Sequence, residues 1–285
     1  GLTLYSDISA RVNDLIEDSL AVARMTNVLL PTVTSLSARG MMVRKVNEYN
    51  ALSFTAAGEE DDTGAQQFSK DALSSLTPLI YRARVDITDP RATSDFDSEM
   101  ANAAFELGAA AAAHIDAAIA TQFASVTGGT IGSSGSTITW RSITKALAIL
   151  ENQGIPRGLP RYCALHPYHW EILLAANSIA SASVAVAPGF QDRFAAAQSF
   201  FTVPQFQGVT FIVTNAITID GSTDAKGCLY VPQAIAVDTR KAFDIRPQRD
   251  ESKELTELNA SMWYVAGTWR PAFAVAIYHN AATPS

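Results

Sequence analysis

His166 and His169, two histidines three positions apart, are the first residues whose spacing could support chemistry. Imidazoles at positions i and i+3 of a helix share a face and can bind one metal ion. Spacing places no third ligand near them, and Pro167 between them is typical of the first turn of a helix. The pattern therefore favours structural histidines over a metal centre.

A second candidate is the Ser-x-x-Lys pattern at Ser142 and Lys145, which matches the nucleophile motif of penicillin-recognising enzymes. The companion Ser-Asp-Asn and Lys-Thr-Gly motifs are absent from the sequence. The pattern favours an ordinary helix capped by Thr139. A hydrolase that uses this serine and lysine stays open as a remote alternative.

Residues 128–132 (Gly-Gly-Thr-Ile-Gly) are glycine-rich, as phosphate-binding loops are. No Gly-Lys-Ser/Thr ending follows them, so the motif for phosphate binding is incomplete. We expect residues 127–137 to form a flexible loop or a domain junction.

A run of four consecutive acidic residues is bounded by glycines: Glu59, Glu60, Asp61 and Asp62. Calcium loops space their carboxylates at alternate positions, so a consecutive run does not predict a cation site. We expect the tip of a hairpin, either solvated or in contact with basic residues of a neighbouring subunit. Arg82 and Arg84 on the returning strand are further candidate assembly contacts.

These residues do not form a nucleophile–base–orienter constellation, and His114 fits a packing or surface role. The sequence therefore predicts no catalytic residue, no metal and no cofactor.

The charge balance argues against a protein that binds nucleic acid directly. The formal net charge is −7, and the sequence shows no basic stripe of the kind that binds phosphates. Any nucleic acid nearby would be enclosed and not specifically bound. No apolar run approaches the roughly 20 residues that span a bilayer. Cys163 and Cys228 lie in apolar runs and are predicted to be buried thiols, with a disulfide less favoured.

The first half of the sequence predicts a small number of long elements. The spacing predicts an amphipathic helix over 6–25, then a two-stranded arm over 41–88 whose returning strand alternates from Leu79 to Thr88. A long helix is predicted over 94–123, with Ser94 as its N-cap. With 285 residues, 48% of them hydrophobic, the chain can also bury a sizeable core.

The second half alternates helices and strands. Strands are predicted over 161–165, 209–213 and 228–231, and a helix begins at Pro167. Strands over 243–246, 262–266 and 272–278 follow, with a charged stretch over 249–257.

This order of parts resembles the major capsid protein of tailed bacteriophages, the fold named after phage Hong Kong ninety-seven, over essentially the whole chain. Three stretches carry the resemblance locally: 154–167 (Gly-Ile-Pro to Leu-His-Pro), 206–215 (a glycine, a strand and Thr-Asn) and 267–273 (Gly-Thr-Trp-Arg-Pro-Ala-Phe). The resemblance implies an α+β fold with an N-terminal arm, an extended β-hairpin loop, a spine helix in a peripheral domain and an α/β axial domain.

The implied domain limits follow from that order. They are 1–40 for the arm, 41–88 for the extended loop, 89–128 with 239–268 for the peripheral domain, and 129–238 with 269–285 for the axial domain.

The resemblance implies a structural subunit and not an enzyme. It would self-assemble into hexamers and pentamers of an icosahedral shell around a double-stranded DNA genome, with scaffolding and portal proteins as partners and no membrane. Assembly would take place in the host cytoplasm, and the product would be the virion capsid. An encapsulin, a bacterial shell of the same fold that holds an enzyme cargo, is the nearest alternative.

Overall fold

The computed structural model describes residues 28–37, 43–49, 54, 56, 65–67, 70–156, 158–183, 205–206 and 208–283. The predicted helix over 6–25 and the acidic run over 59–62 lie outside these residues. The helices are α1 (Asp89–Thr121), α2 (Trp140–Asn152) and α3 (Pro167–Ser183). The strands are β1 (Thr34–Leu36), β2 (Arg44–Tyr49), β3 (Lys70–Leu76), β4 (Leu79–Thr88), β5 (Thr130–Ile131), β6 (Arg161–Leu165), β7 (Gln205–Phe206), β8 (Val209–Val213), β9 (Asp224–Tyr230), β10 (Ile235–Asp250), β11 (Leu255–Thr268) and β12 (Ala274–Asn280).

A four-stranded sheet in the order β1-β10-β11-β4 is built around the long β10–β11 hairpin. β4 pairs antiparallel with β11 from Leu79↔Tyr264 to Thr88↔Leu255, and β1 pairs parallel with the start of β10. Residues 79–88 therefore belong to this sheet, and the prediction that they return along a free two-stranded arm is wrong. The returning strand of the arm is β3, which pairs with β2 in a separate two-stranded sheet.

One face of the four-stranded sheet lies against α1. Ile87, Met100, Leu107 and Leu258 form a buried cluster between the helix and the sheet. Burying each large apolar side chain of this kind stabilises the fold by about 1.5–3 kcal/mol. The predicted alternation of β4 is confirmed only in part. Ile87 is buried and the even-numbered residues from 82 to 88 are exposed, but Leu79 and Ala83 of the predicted apolar face are exposed as well.

Helix α1 begins five residues before the predicted position. Thr88 is its N-cap and Asp89 its first residue, and Pro90 lies in the first turn, where a missing N–H has no consequence. Ser94 therefore lies inside the helix, and its prediction as the N-cap is wrong. The competing signal, Asp-Pro, is itself a helix start.

The stretch Glu99–Ser125 is long and apolar enough by length and composition to cross a membrane, with 39% of its most apolar window buried inside this chain. This differs from the expectation that no run approaches that length, because many alanines extend the apolar character of the helix. Met100, Ala104 and Leu107 of this stretch lie in the cluster against the four-stranded sheet.

A six-stranded mixed sheet, in the order β5-β12-β9-β6-β8-β7, forms the second half of the structure. α2 packs on one face through Ile143 and Leu150, against Cys163, Phe211 and Val275. The predicted bounds of β6 and β8 are confirmed, and the predicted Thr139 cap accepts the Ser142 N–H at 3.2 Å. β10 and β11 are much longer than predicted, because only residues 251–254 of the charged stretch form the turn.

A second buried cluster joins the two sheets. Val237 and Tyr264 of the four-stranded sheet and Cys228 and Tyr230 of the six-stranded sheet share it with Phe123. Both cysteines are free and fully buried, as predicted.

The glycine-rich segment 127–137 is tied down by hydrogen bonds, so the prediction of flexibility is wrong. The Thr127 and Gly128 N–H groups donate to the Pro271 carbonyl at 2.9 and 3.2 Å, and the Gly129 carbonyl accepts from the Ala276 N–H at 2.9 Å. Gly128 has no room for a side chain, since a Cβ there would lie 2.3 Å from the Ala274 carbonyl oxygen.

Candidate assembly surface

β4 forms one edge of the four-stranded sheet, and its outward face carries the two predicted arginines. The register places Arg82 opposite Ser261 and Arg84 opposite Asn259, on the face away from α1. Because the outer side of β4 pairs with no other strand among the described residues, its backbone groups and these side chains are available to a neighbour.

Arg84 is already neutralised within its own chain. Its Nε lies 2.9 Å from Asp86 Oδ1 and its Nη1 lies 3.2 Å from Glu257 Oε1. The Glu257 side chain is largely buried beneath it. An arginine that is held by two carboxylates has little electrostatic attraction left for a third group.

Arg82 lies two residues away on the same face and is exposed. No ion pair joins it to another side chain in the part of the chain that the structure describes. Asp86 and Glu257, the carboxylates on its face of β4 and β11, are taken by Arg84. Arg82 is therefore the better candidate of the two for an intermolecular contact.

Strand β10, which pairs with the other side of β11, carries further charged residues on the face of the sheet away from α1. Lys241 of β10 lies 3.0 Å from Asp244 Oδ2 and donates to Ser261 Oγ at 2.7 Å, while Arg246 Nε lies 2.9 Å from Asp244 Oδ2. These pairs hold the charges of β10 within the chain. The bulged register between Thr239 and Asp244 brings Lys241 and Asp244 onto one side.

An apolar patch adjoins Arg82 at the start of β4. Leu79 and Ile80 are 57% and 54% exposed, which is unusual for large apolar side chains in a strand. The neighbouring Leu76 is buried, and Gly267 leaves room for it: a Cβ on Gly267 would lie 2.3 Å from Leu76 Cδ2. The base of the β2–β3 hairpin is thus anchored beside the patch.

A groove of about 200 Å³ separates the small side chains of α1 from the sheet. Tyr81, His114 and Phe243 are among its lining residues. His114 Nδ1 lies 2.6 Å from the Tyr264 hydroxyl, and the Tyr81 ring lies 4.5 Å from the His114 ring. The prediction of a packing or surface role for His114 is confirmed, since the residue is exposed and makes these contacts.

The predicted chemical motifs are structural in this fold. Ser142 is buried and its hydroxyl lies 3.1 Å from Thr139 Oγ1 at the start of the helix, whereas Lys145 is exposed. His166 and His169 are buried, and no group of three metal-ligating side chains is found among the described residues.

Sequence reasoning missed the role of Asp116, a buried carboxylate on α1. Its two oxygens accept the N–H groups of Val28 and Leu29 at 3.0 and 3.1 Å. Burial raises the pKa of the Asp116 carboxyl, and the two hydrogen bonds oppose that rise. The signal was a lone aspartate within an alanine-rich stretch. Asp116 thereby fixes Val28 and Leu29 to the C-terminal part of the long helix.

Three features define the class of shell-forming capsid folds. They are a long helix across a four-stranded sheet, a hairpin beside that sheet, and an α/β second half. The model of the phage capsid protein family matches residues 75–277. The chain belongs to this family, and it is a major capsid protein, a structural component of the virion shell.

Solved structures show the same fold. The capsid of cyanophage P-SCSP1u is similar with a TM-score of 0.66 and 14% identity, covering 88% of this chain and 87% of that one. A structure of Mycobacterium phage Che8 gives 0.63 and 14%, covering 84% and 85%. The capsid of Ralstonia phage GP4 gives 0.66 and 11%, covering 89% and 88%. A search of the curated protein sequences found no match.

Proposed function

We propose that this capsid protein assembles into hexamers and pentamers that close into an icosahedral shell around double-stranded DNA. Assembly takes place in the host cytoplasm with scaffolding and portal proteins as partners. The observation that carries the proposal is the outer side of β4, which pairs with no strand of the described part of the chain and presents Arg82 beside the exposed Leu79 and Ile80. A long, partly apolar sheet edge is a template for association.

The β2–β3 hairpin supports the same conclusion. It forms a two-stranded sheet of its own, and within the described residues it is anchored to the four-stranded sheet at Leu76. Two-stranded hairpins are at best marginally stable in water. Packing on a neighbouring subunit would supply the missing buried surface.

The charges of the hairpin and of β4 indicate which surfaces of two subunits would meet. The acidic run Glu59 to Asp62 lies between β2 and β3 in the sequence, while Arg82 keeps an uncompensated positive charge on β4. We assign Glu59, Glu60, Asp61 and Asp62 to a contact with Arg82 of an adjacent subunit, and Arg84 to a supporting role through Asp86 and Glu257. Such a contact sets register and orientation more than affinity.

The domain limits given above fit this proposal, with residues 79–88 assigned to the peripheral sheet. The loop 43–76 would reach across subunits, whereas residues 28–36 of the predicted arm 1–40 belong to the chain's own sheet and core. The acidic net charge suits a wall that encloses DNA without binding it specifically.

A charge swap tests the contact. Changing Glu59, Glu60, Asp61 and Asp62 to lysine should abolish or strongly reduce particle formation while circular dichroism shows a folded subunit. Adding Arg82→Glu should restore particles in part, because the two charges would again be opposite. Glu251→Lys, a reversal at an exposed turn, is the control and should assemble normally. Normal particles from the fourfold reversal would refute the contact.

A further inference from the structure

Three of the four histidines of the chain meet at one corner of the six-stranded sheet. His166 follows β6, His169 lies in the first turn of α3, and His279 lies near the end of β12. They are 8%, 0% and 3% exposed. His169 Nε2 lies 3.1 Å from the His279 carbonyl oxygen, which joins α3 to β12 directly.

His279 joins β12 to the glycine-rich segment. Its Nδ1 lies 2.9 Å from Ser136 Oγ and 3.2 Å from the Ser136 carbonyl oxygen. The Ser136 hydroxyl donates to the Ser133 carbonyl at 2.5 Å, so it accepts from His279. Gly132 makes room for the ring, since a Cβ there would lie 2.6 Å from His279 Nε2.

These partners assign one neutral tautomer to each ring. His169 donates from Nε2 and His279 donates from Nδ1, because both face carbonyl oxygens. His166 accepts the Tyr168 N–H at Nδ1, at 3.2 Å. Each ring is therefore matched to its surroundings only while it is uncharged.

A second proton on any of the three rings would lack a suitable acceptor. On His169 it would go to Nδ1 and on His279 to Nε2, and both atoms are buried without a hydrogen-bond partner among the described residues. On His166 it would go to Nδ1, which faces the N–H of Tyr168. A buried donor without an acceptor costs about 1–3 kcal/mol, and more when it is charged.

The surrounding charges compensate only in part. Burial lowers the pKa of His279 and the charge of Asp224 opposes that change, while the Asp224 carboxylate also accepts from Ser134 Oγ at 2.5 Å and from the Gly135 N–H at 2.9 Å. On the adjoining strands, Lys226 lies over the Tyr278 ring, and the Tyr278 hydroxyl donates to Asp220. From α3, Glu171 is exposed.

We propose that His166, His169 and His279 form an acid-sensitive latch, which holds residues 133–136, β12 and the first turn of α3 together and loosens when the imidazoles take up protons. Burial lowers the pKa of each ring, and for His169 the charges of His279 and His166 lower the pKa further. The unfolded or opened chain therefore binds more protons than the closed one below pH about 6.5. Stability is retained above that pH and falls as the pH drops.

Hydrogen–deuterium exchange of the full chain tests the latch. The reporters are the amides of Gly135, which donates to Asp224, and Asn280, which donates to the Ser136 carbonyl at 2.8 Å. Between pH 7.5 and 5.0, after correction for intrinsic rates, their exchange should accelerate at least about tenfold. The Asp89 amide, which donates to Glu254 at the other sheet, should not respond.

The double variant His169→Gln and His279→Asn keeps an amide donor near each bonding nitrogen but cannot take a charge. It should lose most of the acceleration, whereas His114→Asn, outside the cluster, should behave as the unaltered chain. Unchanged acceleration in the double variant would overturn the proposal. If the variant does not fold, histidine NMR signals of the unaltered chain decide: titration of all four in the range of free histidine, without faster exchange at Gly135 and Asn280, also overturns it.

Discussion

Both terminal guanidinium nitrogens of Arg249, near the end of β10, bind the carboxylate of Asp89, the first residue of α1. The Asp89 N–H also donates to the Glu254 carbonyl at 3.0 Å. The start of the long helix is thereby fixed to the turn of the β10–β11 hairpin. The carboxylate also suits the positive end of the helix dipole.

This ion pair predicts an acid-dependent loss of stability. The hydrogen bond from Arg249 lowers the pKa of Asp89, so the pair stabilises the fold above pH about 4 and the stabilisation is lost as the pH falls through the lowered pKa. The melting temperature of Asp89→Asn should be below that of the unaltered chain at pH 6, with a smaller difference at pH 2.5. Glu171→Gln, at an exposed acid, is the control. An equal difference at both pH values would contradict this account.

Gly128 predicts a large steric effect within the segment that joins α1 to the second half. A Cβ there would meet two backbone carbonyl oxygens, of Ala274 at 2.3 Å and Ala272 at 2.5 Å, which cannot move without shifting β12. Gly128→Ala should reduce the free energy of unfolding by about 2 kcal/mol or more. Gly221→Ala, where a Cβ meets nothing within 4 Å, should change it by less than about 0.5 kcal/mol. Similar urea midpoints for the two variants would count against this packing.

The Thr139 cap predicts a smaller effect at α2. Its side chain accepts the Ser142 N–H, so Thr139→Ala should cost about 1 kcal/mol in urea unfolding. Thr144, whose hydroxyl donates to the Arg141 carbonyl in the same helix, gives the matched control Thr144→Ala. A larger loss for the control than for the cap variant would be the contrary result.

The two thiols should be unreactive in the native protein. Burial raises the pKa of Cys163 and of Cys228, so almost no thiolate is present at pH 8, and neither sulfur is accessible. An aromatic disulfide reagent should detect no thiol in the native chain and two in concentrated guanidinium chloride. Ala148→Cys, at an exposed position of α2, should add one rapid equivalent. Two native equivalents, or none after unfolding, would contradict the assignment.

Local patterns in the sequence predicted several elements well. β6 and β8 are short apolar runs bounded by glycine or proline, so their limits follow from composition. The Thr139 cap was readable because an apolar helical stripe follows it. The order of the parts, more than any one motif, predicted the capsid fold.

Long-range pairing was not readable from the sequence. β4 alternates equally well as half of a free hairpin or as an edge strand, and only its pairing with β11, far along the chain, decides. The extra length of β10 and β11 was hidden because charged residues continue the strands on a solvent face. The sequence showed only part of the histidine cluster. His166 and His169 are neighbours in sequence and were readable as a pair, whereas His279 lies on β12, far along the chain.

Negative-stain electron microscopy of the purified chain, after size-exclusion chromatography and with a scaffolding protein co-expressed, tests the central claim most directly. The shell assignment predicts closed particles, or rings of five and six subunits where closure is incomplete. A monodisperse monomer under every condition, with and without the scaffold, would contradict it.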